Sequence, residues 1–195
     1  MTARAQAITG WIQKHEHDAI AFLEGLVNQD SGTHDRLDVN RLGEMLATAF
    51  EGLGFSVERI PQTTYGNHLM ASHRGTPGTT RLLCMGHMDT VYPAGTAESR
   101  PFQIEGTRAT GPGVLDMKGG LTILLFALRA LVETDSSALR EMSVSVLINS
   151  DEEVGSPSSR QIITDLALRH DAAIVLEPAR PGGECVIARK GVGHF

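Results

Sequence analysis

The sequence predicts an α/β fold, a mostly parallel mixed sheet sandwiched by helices. Two observations carry this prediction. Apolar runs of strand length alternate with amphipathic stretches of helix length through the second half of the chain. Acidic and imidazole side chains fall just after those runs, where α/β sheets bind ligands. The 195 residues, 41% hydrophobic and 21% charged, suffice for one sizeable domain with its own core.

The elements follow in order. Residues 4–28 read as a helix, with Ile8, Trp11, Ile12, Ile20, Leu23 and Val27 loosely periodic, and "NQDSGTHD" as a loop. Residues 38–53 read as a clearer helix, because Val39, Leu42, Leu46, Ala49, Phe50 and Leu53 recur at three- and four-residue spacing and Gly54 stands at a C-cap position. "FSVERI" and "NHLMAS" are strands, and the turn "GTPGTT" is expected to join the latter to "RLLCM" in a hairpin. Beyond these, "MKGGLTILLFALRALVE" is a helix, "MSVSVLIN" a strand and "SSRQIITDLALRH" a helix capped by Ser158. "AAIVL" and "CVIARK" are strands. Cys84 and Cys185 lie far apart in apolar runs and read as buried thiols rather than a disulfide.

The net charge of −6, with no cluster of lysines or arginines, gives no reason to expect nucleic-acid binding. The N-terminal stretch lacks a signal-peptide apolar region, and no segment has the apolar length of a membrane span, so the expected location is cytoplasmic, with no membrane partner.

Four stretches carry candidate chemistry. In "MGHMDTVYPAG", His87 and Asp89 lie two apart and face one side if strand geometry persists, so Asp89 could hold the second ring nitrogen of a metal-bound His87. An ordinary polar loop is the alternative. In "TGPGVLDMKGGL", Asp116 stands before a helix, as a ligand or as an N-cap, and the glycines after it let the helix begin close to a ligand. "NSDEEVGS" holds three consecutive carboxylates, which repel unless a cation neutralises them, or which form a solvated acidic turn. Glu177 in "VLEPAR" ends an apolar strand, as a ligand or merely as a residue leaving the sheet. All four would share one edge of one sheet. Together they point to a divalent cation, zinc foremost, which yields hydroxide near neutral pH and polarises a carbonyl.

"GHMDTV", "GPGVLDMKGG", "DEEVGS" and "LEP", in this order, resemble the M20 family of metallopeptidases and deacylases, most closely its glutamate carboxypeptidases; "ARKGVGHF" resembles the entry to that family's lid domain. The resemblance implies a zinc-peptidase-like catalytic domain. Within it, His87 and Glu177 are ligands of one zinc, Asp116 bridges two zincs and Glu153 binds the second. Asp89 orients His87, and Glu152 is the general base. It also implies a cis peptide after Asp116, where Met117 replaces a frequent aspartate. The implied activity is hydrolysis of an amide bond in a small peptide or N-acyl amino acid, releasing a C-terminal residue such as glutamate. Residues 1–195 would then be the N-terminal part of the catalytic domain. The lid, the last histidine ligand and the homodimer contacts of the full-length family would lie outside them. The alternative is a catalytically inert metal-binding fragment. His194 reads as part of the outgoing strand, and histidines 15, 17, 34, 68, 73 and 170 as surface groups.

Overall fold

A computed structural model of the chain describes residues 2–134, 136–180, 182–184, 186 and 187. Two helices, α1 (Ala3–Lys14) and α2 (Glu16–Val27), stand where one is expected. His15 divides them: its φ/ψ of −109°/18° leaves the helical region, and its ring stacks on Trp11 with centroids 3.9 Å apart. Helix α3 (Arg36–Gly52) buries Val39, Leu42, Leu46, Ala47 and Phe50 along one stripe. The Asp35 carboxylate caps it by accepting the Leu37 and Asp38 amides, and Gly54 ends it at φ +81°.

Three strands follow: β1 (Ser56–Ile60), β2 (His68–His73) and β3 (Thr80–His87). The short helix α4 (Thr96–Ser99) and the small ribbon β4 (Gln103–Glu105) with β5 (Arg108–Thr110) lead to a π-type turn at Val114–Lys118 and to helix α5 (Gly119–Thr134). After α6 (Ser136–Arg140) come β6 (Met142–Asn149), α7 (Arg160–Ala167) and β7 (Ala172–Val175).

The main sheet runs β1-β2-β6-β3-β7. It is mixed: β1, β2 and β6 pair antiparallel, and β6, β3 and β7 pair parallel. The expected hairpin between β2 and β3 does not form, because β6 is inserted between them. The turn after β2 passes around the start of β6 instead. Gly75 makes that possible, since a Cβ there would lie 2.4 Å from the Met142 carbonyl oxygen. Thr76 then donates its amide to the Arg140 carbonyl at 2.9 Å.

Insertion at the centre buries β6 almost completely, and Val144, Val146 and Ile148 join the core with Leu121, Leu124, Leu125 and Leu128 of α5. Cys84 lies in this core, where burial pushes its thiol up to about 11; Cys185 lies outside the described residues. Ser158 does not cap α7. The N-cap position is Ser159, and both serines turn to Asp151. Of the strand expected at 185–190, only Val186 and Ile187 are described, and neither is in a strand; the other positions, and His194, lie outside the described residues. Strand β7 is exposed along its length, with Ile174 and Val175 at 49% and 54%.

Candidate metal centre

Parallel register sets the strand ends level. His87, the last residue of β3, pairs with Asn149, the last of β6, and Met85 pairs with Val175 of β7. The Leu176 amide extends that pairing to the Met85 carbonyl at 3.0 Å, so Glu177 emerges beside His87. The turn after β6 carries Glu152 and Glu153. The π-type turn before α5 carries Asp116.

His87 is buried and is the hub. Its Nε2 lies 3.0 Å from Asp116 Oδ1, 3.5 Å from Glu177 Oε1 and 4.0 Å from Glu152 Oε2. Its Nδ1 lies 2.9 Å from the Asp89 carbonyl oxygen and 3.4 Å from the Asp89 carboxylate. Both atoms of contact come from the expected orienting residue, the backbone oxygen being the nearer. Burial disfavours the charged ring, but the hydrogen bond and charge of Asp89, then the charges of Glu177 and Glu152, carry it up to about 9. Asp116 is not an N-cap: its carboxylate turns to His87, and the Asp116–Met117 peptide is cis. Met117 is fully buried beneath Gly86 and Gly120. The paired glycines after it serve packing, since a Cβ on Gly120 would lie 2.1 Å from the Leu176 carbonyl oxygen.

Among the described residues two sets of three could each hold a metal ion, His87 with Glu152 and Glu177, and His87 with Asp116 and Glu153; within each set the donor atoms lie within 4.8 Å of one another. The donor chemistry, one imidazole among carboxylates, suits a hard or borderline divalent cation. The Glu153 carboxyl is held above its ordinary value by burial and by the charges of Asp116, Asp89 and Glu152, against the pull of His87. A cation would relieve that crowding.

Three supporting roles were not legible in the sequence: the hold of Asp89 on the acidic turn, the inward turn of Asp151 and the burial of Lys118. Asp89 is buried and accepts from Thr33 Oγ1 at 2.8 Å and from the Glu152 and Glu153 amides at 3.2 Å each, so one carboxylate touches His87 and fixes the acidic turn. Asp151, first of the three acids, turns inward and accepts from Ser158, Ser159 and Asn149. Lys118 is fully buried and donates to the Gln29 carbonyl at 2.8 Å; burial draws its ammonium down to about 8 against the opposing charge of Asp30.

His68 is not a surface group but is fully buried. Its Nδ1 accepts the Ser150 amide at 3.2 Å, and its Nε2 meets Ser158 Oγ at 3.1 Å. Sequence pattern could have placed it only on a strand, because its partners lie far downstream. Burial holds its pKa below the ordinary 6.5, against Asp151 and Asp89. The unfolded chain therefore takes the proton first. This contribution to stability is full above about 6.5 and drains as pH falls toward the folded value. We expect stability to fall below pH 6.5 by up to about 1.4 kcal/mol per pH unit for this proton. His87, whose value is raised, acts above 6.5 and with opposite sign. Urea titrations at several pH values should show a flatter acid limb in His68→Gln; an unchanged slope would remove His68 as its source.

The fold and the strand-end cluster define an α/β protein with a candidate metal site at the ends of its parallel strands. The chain belongs to the peptidase family M20/M25/M40, whose family model matches residues 83–190. It is 38% identical over 168 residues to carboxypeptidase G2 of Pseudomonas sp. (strain RS-16), an alignment covering 85% of this chain and 40% of that protein. It is 34% identical over 155 residues to acetylornithine deacetylase of Klebsiella pneumoniae (strain 342), covering 76% and 39%. Among solved structures it resembles human carnosine dipeptidase 1 (TM-score 0.73, 18% identity, 87% of this chain and 40% of that one). It also resembles an M20 family metallo-carboxypeptidase of Sulfolobus solfataricus (TM-score 0.70, 22% identity, 85% and 38%). The chain thus spans about two fifths of the relatives it matches. No described helix is long and apolar enough to cross a membrane.

Proposed function

We propose that the chain supplies the two-zinc centre of an amide hydrolase that releases a C-terminal amino acid, such as glutamate, from a small peptide or N-acyl amino acid. The observation that carries this reading is the convergence of Asp116, Glu152 and Glu177, from three separate segments, on His87 Nε2. His87 and Glu177 would hold one ion, Glu153 the other, and Asp116 both. Bound zinc supplies Lewis acidity, lowering the pKa of water and polarising the scissile carbonyl. Asp89 holds the His87 ring in place. Glu152, with its side chain 47% exposed, stands where it can take a proton from water and return it to the leaving amine nitrogen. Likeness to a carboxypeptidase and a deacetylase supports an amide substrate. A second reading, metal binding without turnover, is favoured by the two-fifths coverage of the relatives and by the single imidazole in the cluster.

Calorimetry near pH 7.5 tests the site. Zinc should bind stoichiometrically, and Asp116→Ala and Glu153→Ala should each weaken it about 100-fold. Glu152→Gln should retain binding within a few-fold if Glu152 works on protons, whereas a loss equal to that of Glu153→Ala would make it a ligand. Equal zinc affinity in all the chains would end the metal reading.

A further inference from the structure

Beside the candidate metal centre lies a cleft of about 490 Å³, within the range of small-molecule sites. Its walls include His34, Val91, Tyr92, Pro93 and Val154, and Glu153 belongs both to the cleft and to the metal cluster. The two loops that form it are tied together: the Thr33 amide donates to the Thr90 carbonyl at 3.1 Å, and the Thr90 amide to the Ser31 carbonyl at 2.9 Å. Asp30 pins the loop beyond Pro93 by accepting the Gly95 and Ala97 amides at 2.6 and 2.8 Å, and the Arg100 guanidinium lies 5.1 Å from the Tyr92 ring centre. The cleft is therefore formed before any ligand arrives.

From this geometry we infer that the cleft is the subsite for an uncharged, apolar substituent flanking the scissile amide, an aliphatic side chain or acyl group. The inference rests on the metal-centre reading above. Its chemistry follows from the lining. Among the described residues no lysine or arginine lines the cleft, and His34 is the one side chain there that could meet a carboxylate. Of its two acidic residues, Asp35 accepts the α3 capping hydrogen bonds at Oδ1 and Glu153 faces the metal cluster, so a cationic substituent would have to draw on Asp35 Oδ2 alone. Val91 and Val154 are 67% and 41% exposed and give an apolar tail surface to cover.

Hydroxamates with different tails separate the cleft from the metal. Zinc-loaded chain, labelled at its methyl groups, is titrated with acetohydroxamate, hexanohydroxamate and 6-aminohexanohydroxamate. We expect hexanohydroxamate to bind about tenfold tighter than acetohydroxamate, which corresponds to partial burial of its extra methylenes. It alone should move the Val91 and Val154 methyl signals, and the affinity ratio should fall below about threefold in Val91→Asp. Equal affinities for the short and long tails, unmoved methyl signals, or tighter binding of the amino tail would overturn the subsite. Failure of the metal reading is seen separately, as affinities for all three that do not depend on zinc. In that case the subsite stands or falls on whether the hexanoyl tail alone moves the two valine methyls.

Discussion

Asp151→Ala should cost about 4 kcal/mol of stability, the largest effect of any single side chain in the acidic turn. The Asp151 carboxylate is completely buried yet stays ionised: burial opposes its charge, but hydrogen bonds from Ser159 and Ser158 prevail and keep it below its ordinary range. It accepts from the Ser158 amide at 2.6 Å, Ser158 Oγ at 2.7 Å, Ser159 Oγ at 2.6 Å, the Ser159 amide at 3.2 Å and Asn149 Nδ2 at 3.3 Å. Alanine would strand the fully buried Ser159 amide and hydroxyl, while Asn149 keeps Ser156 and Ser159 and half-buried Ser158 turns to water. Asparagine keeps the shape but turns an amide group toward donors, so Asp151→Asn should recover only part of the loss. The urea midpoint, converted with a common slope, measures both. A loss below about 1 kcal/mol in the alanine variant would mean that water replaces the carboxylate and that the turn does not depend on it.

Gly120→Ala should cost about 3 kcal/mol, although alanine is the better helix former. The new Cβ would lie 2.1 Å from the Leu176 carbonyl oxygen and 3.2 Å from its carbon, and backbone cannot swing aside as a side chain can. Either α5 retreats or the segment between β7 and Glu177 moves. Both separate Asp116 from Glu177, so zinc affinity should fall even in the fraction that folds. Gly10→Ala in α1 is the control: nothing lies within 4 Å of its Cβ, and the variant should be neutral or more stable by up to about 1 kcal/mol. Equal thermal midpoints for the two variants would show that α5 is not held tightly against β7.

What the sequence disclosed was local. Strand β6 has the expected limits, 142–149, because an apolar run bounded by polar residues needs no distant partner to be recognised. The same holds for α3, whose stripe is strict. The positions of His87, Glu152, Glu153 and Glu177 after strands, and of Asp116 before a helix, were legible because each polar group interrupts or terminates an apolar or glycine-rich segment. The rest depends on pairs far apart in the chain. Nothing in "NHLMAS" or "RLLCM" says that a third strand will separate them. Three acids in a row look alike until Ser158 and Ser159 claim the first of them. The burial of His68 is explained only by Ser150 and Ser158. The break at His15 is invisible in the sequence because loose periodicity runs through it.

The order of strands also sets a timetable. β3 draws its two neighbours from residues 142–149 and 172–175, so the ends bearing His87, Glu152 and Glu177 meet only after long stretches of chain have closed. Local helices such as α3 can form well before that. A cation that binds only once all three ends have met makes contacts absent from the folding transition state. Its kinetic signature would be slower unfolding with little change in the speed of folding, and a chelator would shorten the lifetime of the native state without hindering the chain on its way there.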